Sequence, residues 1–223
     1  MARLALRPFI STLALLTYLL MTPCLVQAED WSGFRGPGNL GVSSDEKVPV
    51  EWSDEKNLKW KLELPGKGFS SPIVVGKQVL VTCYSGSAAS VKRHLVSVDR
   101  QSGKINWVTS VDSKSPESRG ASFGTSHGFA SQTPVSDGKQ IYVLFGKAGV
   151  IAFDMQGKEI WKKSVGTGAA MFGSAASPIL YKDHLIVPAC SESQSIVALN
   201  KSDGEQAWST KAGSLGRSYV TPM

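Results

Sequence analysis

The sequence predicts an all-β fold made of repeated four-stranded units, and three recurring landmarks support that prediction. Each unit has a hydroxyl residue before proline, then a turn with an alternating apolar strand, then a strand, a turn and a tryptophan. The hydroxyl–proline pairs are Ser71-Pro72, Thr133-Pro134, Ser177-Pro178 and Thr221-Pro222. The tryptophans that end the units are Trp107, Trp161 and Trp208.

The spacing of the prolines sets the size of the unit. Pro134 to Pro178 and Pro178 to Pro222 are each 44 residues, whereas Pro72 to Pro134 is 62 residues and so includes an insertion. Apolar residues alternate with polar ones between Gly-containing turns, as in half-buried strands. Four strands in a repeat of this length are typical of a β-propeller blade.

Each tryptophan is predicted to end its blade and to dock against the next one, because an indole covers a large apolar surface and still offers an N–H donor. Trp60 has the spacing of a tryptophan that ends a preceding blade. Residues 57–64 are therefore predicted to form a closing strand that completes the last blade of the ring. A propeller needs at least about four blades, so this sequence is expected to be the N-terminal part of a protein with roughly seven or eight.

The first 28 residues are predicted to be a signal peptide. Arg3 and Arg7 precede an apolar run over residues 9–21, and Ala28 ends a small-residue cleavage site. The protein is therefore expected to be secreted into the periplasm or the extracellular space. The residues before Cys24 lack the pattern that lipidation needs, so no lipid anchor is expected.

The rest of the chain is predicted to divide along the repeats. These segments are an N-terminal segment (29–56), the closing strand (57–64), a first blade (65–110), an insertion loop (111–126), a second blade (127–165), a third blade (166–212) and the start of another (213–223).

Charge and cysteines exclude some classes of protein. The net charge of +6 falls to +4 once the two arginines of the signal peptide are removed, and the lysines are spread out, so no nucleic acid is expected as a partner. No further stretch has transmembrane length. Cys83 and Cys190 each lie seven residues after a turn, at Gly76 and Asp183, in blades separated by a whole blade. We expect no disulfide between them, because bridging needs Cα atoms within about 7 Å.

Several motifs resemble the PQQ-like (pyrrolo-quinoline quinone repeat) β-propeller family, and in particular its exported bacterial members of unassigned role. The resemblance covers nearly all of the mature chain. The motifs are Trp31-x-x-Phe34-Arg35-Gly36-Pro37 with Gly41-Val42, Asn57-Leu58-Lys59-Trp60, Leu64-Pro65-Gly66-x-Gly68-x-Ser70-Ser71-Pro72, and His127-Gly128-Phe129-Ala130-Ser131-x-Thr133-Pro134.

The resemblance implies two different functions. Quinoprotein alcohol dehydrogenases of this fold bind PQQ and Ca²⁺, whereas the propeller lipoprotein of the outer-membrane barrel-assembly machinery is a scaffold without a cofactor. The sequence favours a binding or scaffold module, with a protein or polymer as its ligand. Asp99 and Asp154 are predicted to be turn residues, and no Cys-Cys pair is present. We therefore predict no catalytic residue, no metal ligand and no evident cofactor. A PQQ-dependent alcohol or sugar dehydrogenase with calcium stays the alternative.

Candidate ligand residues lie where the innermost strands would border the central channel. They are Ser71, His127, Ser131, Thr133 and Ser177. The hydroxyls could instead satisfy backbone groups beside the prolines, and His127 could hold a loop carbonyl. His94 and His184 are predicted at the surface or at strand ends. Matches to G-x-S-x-G at residues 124–128 and to G-x-G-x-x-G at residues 36–41 lack the strand–turn–helix context that those motifs need.

Overall fold

A computed structural model of the chain describes residues 29–45, 48–87, 90–113, 129–170, 173–211, 213–214 and 218–223. Twelve strands are described within these ranges, together with two short 3-10 turns at Pro37–Asn39 and Gly146–Ala148. None of the described residues forms a helix that is long and apolar enough to cross a membrane.

The strands form three four-stranded antiparallel sheets, and in each sheet sequential strands are neighbours. The first sheet contains β1 (Ile73–Val75), β2 (Gln78–Ser87), β3 (Ser90–Asp99) and β4 (Ile105–Asp112). The second contains β5 (Val135–Ser136), β6 (Gln140–Leu144), β7 (Val150–Asp154) and β8 (Glu159–Lys163). The third contains β9 (Ile179–Tyr181), β10 (His184–Ala189), β11 (Ser195–Asn200) and β12 (Gln206–Lys211).

The three sheets are copies of one blade, down to an irregularity at the same place. The pairing register shifts once between the third and fourth strands, after Ser97, Ala152 and Ala198 respectively. Each of these residues lies opposite the tryptophan of its blade. A bulge increases the local twist and re-aims a side chain, so the repeated bulge sets the direction of each indole.

The core lies between the sheets, because each strand sends alternate side chains to opposite faces. Leu80 and Leu95 of the first sheet pack with Ile141, Phe145 and Phe153 of the second. The other face of the second sheet packs on the third. The stacking of the sheets therefore buries both faces of the middle blade.

The structure differs from the prediction of a closing strand. Residues 57–64 form no strand, since no described strand lies alongside to pair with their N–H and C=O groups. Alternate residues Trp60, Leu62 and Leu64 nevertheless pack on the outer face of the first sheet, against a cluster that contains Cys83 and Val96. The predicted start of the insertion loop at residue 111 also falls inside β4, which continues to Asp112.

The structure corrects the predicted equivalence of the two cysteines. Gly76, Gly138 and Lys182 have φ values of 55°, 83° and 52°, so they occupy the same left-handed turn position. With that alignment the counterpart of Cys83 is Ala189, and Cys190 lies one residue beyond it. The shift went unnoticed in the sequence because the third blade has lysine where the others have glycine.

Candidate functional site

The joints between blades are built from one tryptophan, one glycine and one carbonyl. Trp107 Nε1 donates to the carbonyl of Met155 at 3.2 Å, and its ring lies over Gly157. A methyl group on Gly157 would lie 2.6 Å from that ring. The first blade is thereby fastened to the turn between the last two strands of the second.

The same joint occurs twice more. Trp161 Nε1 donates to the Lys201 carbonyl at 2.9 Å, with its ring over Gly204. Trp60 Nε1 donates to the Arg100 carbonyl at 3.0 Å, with its ring over Gly103. Trp60 thus docks on the first blade as Trp107 docks on the second.

Trp208 occupies the equivalent position on the third blade, and its surroundings differ. Its side chain is 44% exposed, whereas that of Trp161 is 8% exposed. Every residue of its strand, Gln206–Lys211, is exposed. Trp208 has no neighbouring blade among the described residues, and docking by this residue stays a prediction.

The predicted ligand hydroxyls form a second link between blades. The Ser71 N–H donates to Thr133 Oγ1 at 3.0 Å, and the Thr133 N–H donates to Ser177 Oγ at 2.9 Å. The Ser177 N–H then donates to Thr221 Oγ1 at 3.0 Å. Each hydroxyl–proline pair therefore accepts a backbone hydrogen bond from the preceding blade. This chain draws the first strands of successive blades together.

Burial separates the predicted channel residues into two groups. Thr133 and Ser177 are each about 1% exposed, so their hydroxyls lie inside the blade junctions and not on an open channel wall. Ser71 and Ser131 are half-buried, and contact with a ligand stays a prediction for them. His127 and the G-x-S-x-G match lie outside the described residues.

We expect Thr133→Val to lower the free energy of unfolding by about 1–3 kcal/mol, because it leaves the Ser71 N–H without its acceptor. Thr133→Ser keeps the hydroxyl and should cost less than half as much. Urea denaturation of the two variants measures the difference. Equal losses in both variants would show that packing of the threonine methyl group, and not the hydrogen bond, stabilises the junction.

A cavity of about 350 Å³ lies beside the far end of the β2–β3 hairpin. The strands of that hairpin are ten residues long, whereas β6 and β10 have five and six. The cavity is lined by Gly66, Lys67, Tyr84, Ser85, Gly86, Ser87 and Phe129. Lys67 exchanges two backbone hydrogen bonds with Tyr84, so the segment before β1 forms one wall and the hairpin forms another. Sequence reasoning missed this cavity, because only the length of β2 and β3 pointed to it.

His94 contradicts its predicted surface position. It is 6% exposed, since β3 continues past the point where the shorter blades end. Its Nε2 lies 2.8 Å from Ser85 Oγ and its Nδ1 lies 2.9 Å from Ser110 Oγ. Burial lowers the pKa of His94, Lys92 adds to this effect and Asp112 opposes it. The imidazole links three strands beside the cavity.

The two thiols of the described residues are buried and unbridged. Burial raises the pKa of Cys83 from its ordinary value of 9.0 to about 11. Burial, together with the charge of Glu192, raises the pKa of Cys190. Both side chains behave as small apolar groups.

We expect neither thiol to react with Ellman's reagent in the native state at mildly alkaline pH, because the thiolate is the reactive form. The raised pKa of Cys83 favours the neutral thiol in the fold. That contribution is fully present below pH 9.0 and is lost as the pH rises toward about 11. Both thiols should react fully in denaturant, and rapid native labelling at neutral pH would contradict the burial of these side chains.

Metal-binding groups do not gather in the described part of the chain. No three His, Cys, Asp or Glu side chains of those residues come close enough to hold one ion, whereas calcium takes six to eight oxygen ligands. Asp99 and Asp154 each accept two or more backbone N–H bonds in tight turns, as predicted. The described residues alone therefore do not fit a PQQ–calcium site.

The stacked blades, their repeated joints and their converging first strands define a partial β-propeller. Residues 91–220, more than half of the chain, match the family of PQQ-like repeats described as outer membrane protein assembly factor BamB. The chain belongs to this family. A search of the curated proteins found no match to the sequence.

Solved structures similar to this chain include both functional types. A europium-containing methanol dehydrogenase is 17% identical with a TM-score of 0.56, over 83% of this chain and 32% of its own. BamB from Moraxella catarrhalis is 15% identical with a TM-score of 0.50, over 73% and 45%. A quinohemoprotein alcohol dehydrogenase from Comamonas testosteroni is 20% identical with a TM-score of 0.55, over 81% and 27%. The chain spans less than half of each, and these likenesses show the fold alone.

Proposed function

We propose that the protein is an exported PQQ-like β-propeller that acts as a binding or scaffold module in the periplasm or at the cell surface. Its ligand would be a protein or a polymer. The N-terminal sequence supports export, since residues 1–28 have the order of a signal peptide. Membership of the family described by the assembly factor BamB supports a scaffold.

The cavity beside the β2–β3 hairpin carries the proposal. Stacking the blades does not require this hairpin to be longer than its counterparts. The extension creates a recess that combines the Lys67 cation, the Ser85 and Ser87 segment and the edge-to-face pair of Tyr84 and Phe129, whose ring centroids are 5.2 Å apart. A few polar groups around an apolar base are the usual composition of a ligand site.

A photoreactive amino acid at position 87 tests the proposal in cells that make the full-length protein. Ser87 lies at the exposed end of the hairpin, whereas Lys158 lies in an exposed turn at the opposite end of the second blade. We expect discrete crosslinked products from position 87, fewer of them when Lys67→Glu is also present, and none from position 158. Absence of products from position 87, or equal products from both positions, would contradict binding at the hairpin.

The alternative function is a PQQ-dependent oxidoreductase, favoured by the two dehydrogenases among the similar structures. Titration of the full-length protein with PQQ and Ca²⁺, followed by calorimetry and absorbance, separates the two proposals. A binding module should take up no PQQ. Saturable uptake together with dye-linked alcohol oxidation would establish the dehydrogenase instead.

Carbohydrate or polymer binding over the channel is a third, narrower proposal, and it depends on His127. Affinity electrophoresis through soluble polysaccharides tests it. Retardation of the wild type that His127→Ala abolishes would support glycan binding, and unretarded migration of the wild type would end it.

A further inference from the structure

Residues 30–32 run along the inner edge of the blades. Trp31 exchanges two backbone hydrogen bonds with Val74 of β1, at 2.8 and 2.9 Å, on the edge that faces away from β2. The Ser32 carbonyl accepts from the Ser136 N–H of β5 at 2.9 Å. The first strand of each blade borders the central channel of a propeller. The segment therefore crosses the channel side of the first two blades.

The segment then folds back on itself and presents Arg35. Gly36 has φ 67° and packs against the Trp31 ring, where a methyl group would lie 2.5 Å from the nearest ring atom. The Gly41 N–H donates to the Arg35 carbonyl at 2.8 Å and closes the loop. Only glycine fits at position 36, so the loop holds its backbone in one conformation.

The guanidinium of Arg35 reaches across to a third position on the channel wall. Its Nη1 lies 2.7 Å from Met223 Sδ. Met223 follows Thr221-Pro222, where Ile73, Val135 and Ile179 follow the corresponding pairs of the other blades. A side chain that spans from the first two blades to the residue after this fourth pair lies within the channel.

Arg35 has weak partners compared with the other described arginines. A thioether is a weak acceptor, and the second contact, from Nη2 to the Leu40 carbonyl, is 3.4 Å long. Arg93 donates to the Phe129 carbonyl at 2.6 Å, and Arg100 lies 3.9 Å from the Asp30 carboxylate. Among the described residues no carboxylate pairs with Arg35. Its side chain is exposed.

We infer that Arg35 binds an oxyanion group of a ligand in the central channel, a carboxylate or a phosphate that accepts two parallel N–H bonds from the guanidinium. Such bidentate pairs are directional and charge-assisted, so they set the orientation of a ligand as well as its affinity. The site is separate from the hairpin cavity, and neither proposal depends on the other.

Calorimetric titration of the full-length protein tests the inference, with sodium citrate and sodium phosphate as separate probes that distinguish the two anions. We expect saturable binding of at least one probe, weakened at least about tenfold by Arg35→Gln and less by Arg35→Lys. Lys158→Gln removes an exposed positive charge away from the channel and should leave binding unchanged. No saturable binding by the wild type, or equal binding by Arg35→Gln, would overturn the inference.

A second measurement needs no variant. Phenylglyoxal modifies accessible arginines, and mass spectrometry of the wild type reports the rate at Arg35. The bound anion should slow that rate several-fold and leave the rate at Arg100 less affected. Modification of Arg35 at the same rate with and without saturating anion would also overturn the inference.

Discussion

Replacing Trp161 with alanine is expected to lower the free energy of unfolding by about 3–5 kcal/mol. The indole is 8% exposed and lies between the second and third blades, where it packs with Tyr142 and Leu185. The substitution removes this apolar surface and also the hydrogen bond from Nε1 to the Lys201 carbonyl. Urea denaturation followed by circular dichroism measures the loss.

Trp208→Ala is the matched control, because Trp208 has the same place in its blade with 44% of its side chain exposed. In the 223-residue chain this change should cost about 1 kcal/mol or less, as for other exposed positions. If the two substitutions destabilised this chain equally, the indole would act within its own sheet, and docking on the next blade would not explain the conserved spacing of the tryptophan within the repeats.

Replacing Gly157 with alanine is expected to have the second-largest effect. Gly157 has φ 82°, and the added methyl group would lie 2.6 Å from the Trp107 ring and 2.7 Å from Thr109 Oγ1. A left-handed conformation costs a non-glycine residue about 1–2 kcal/mol, and the clash should add about 1–3 kcal/mol. Thermal or urea unfolding gives the sum of the two costs.

Gly138→Ala isolates the clash from the backbone cost. Gly138 has φ 83°, yet a methyl group there would have no neighbour within 4 Å. It should therefore cost about 1–2 kcal/mol, the backbone contribution alone. Gly157→Ala that is no more destabilising than Gly138→Ala would mean that the indole and the turn separate easily, and the joint would then be loose.

The blade architecture could be predicted from the sequence because its signals are local and repeated. Strand alternation, turn glycines and the tryptophan spacing each recur at the same offset, so Trp60 could be placed from distance along the chain alone. Its packing on the first blade followed the prediction, whereas the strand around it did not form. A strand depends on a neighbour elsewhere in the chain, and spacing carries no information about that neighbour.

The role of the hydroxyl–proline pairs could not be predicted from the same pattern. The sequence indicated that Thr133 and Ser177 recur near the channel, and both channel lining and backbone hydrogen bonding were consistent with that position. The rotation between adjacent blades decides which group faces the hydroxyl. That rotation depends on the packing of whole sheets, and it turned these residues into the blade junctions.

The candidate sites were the least predictable part. The hairpin cavity depends on how far β2 and β3 extend, and the position of Arg35 depends on pairing between Trp31 and Val74, 43 residues further along the chain. The motif that contains Arg35 supported the family resemblance without indicating where its side chain points. Short sequence patterns specify strands and turns, whereas a long-range backbone bridge becomes visible only in three dimensions.

Hydrogen exchange at the indole N–H groups tests the repeated joint most directly. Nuclear magnetic resonance of the 15N-labelled 223-residue chain in D2O resolves Trp60, Trp107, Trp161 and Trp208 once single substitutions have assigned them. The structure predicts slow exchange for the three indoles that donate to the carbonyls of Arg100, Met155 and Lys201, and fast exchange for Trp208. Trp208 exchanging as slowly as Trp161, or Trp161 as fast as Trp208, would contradict the docking of successive blades through this joint.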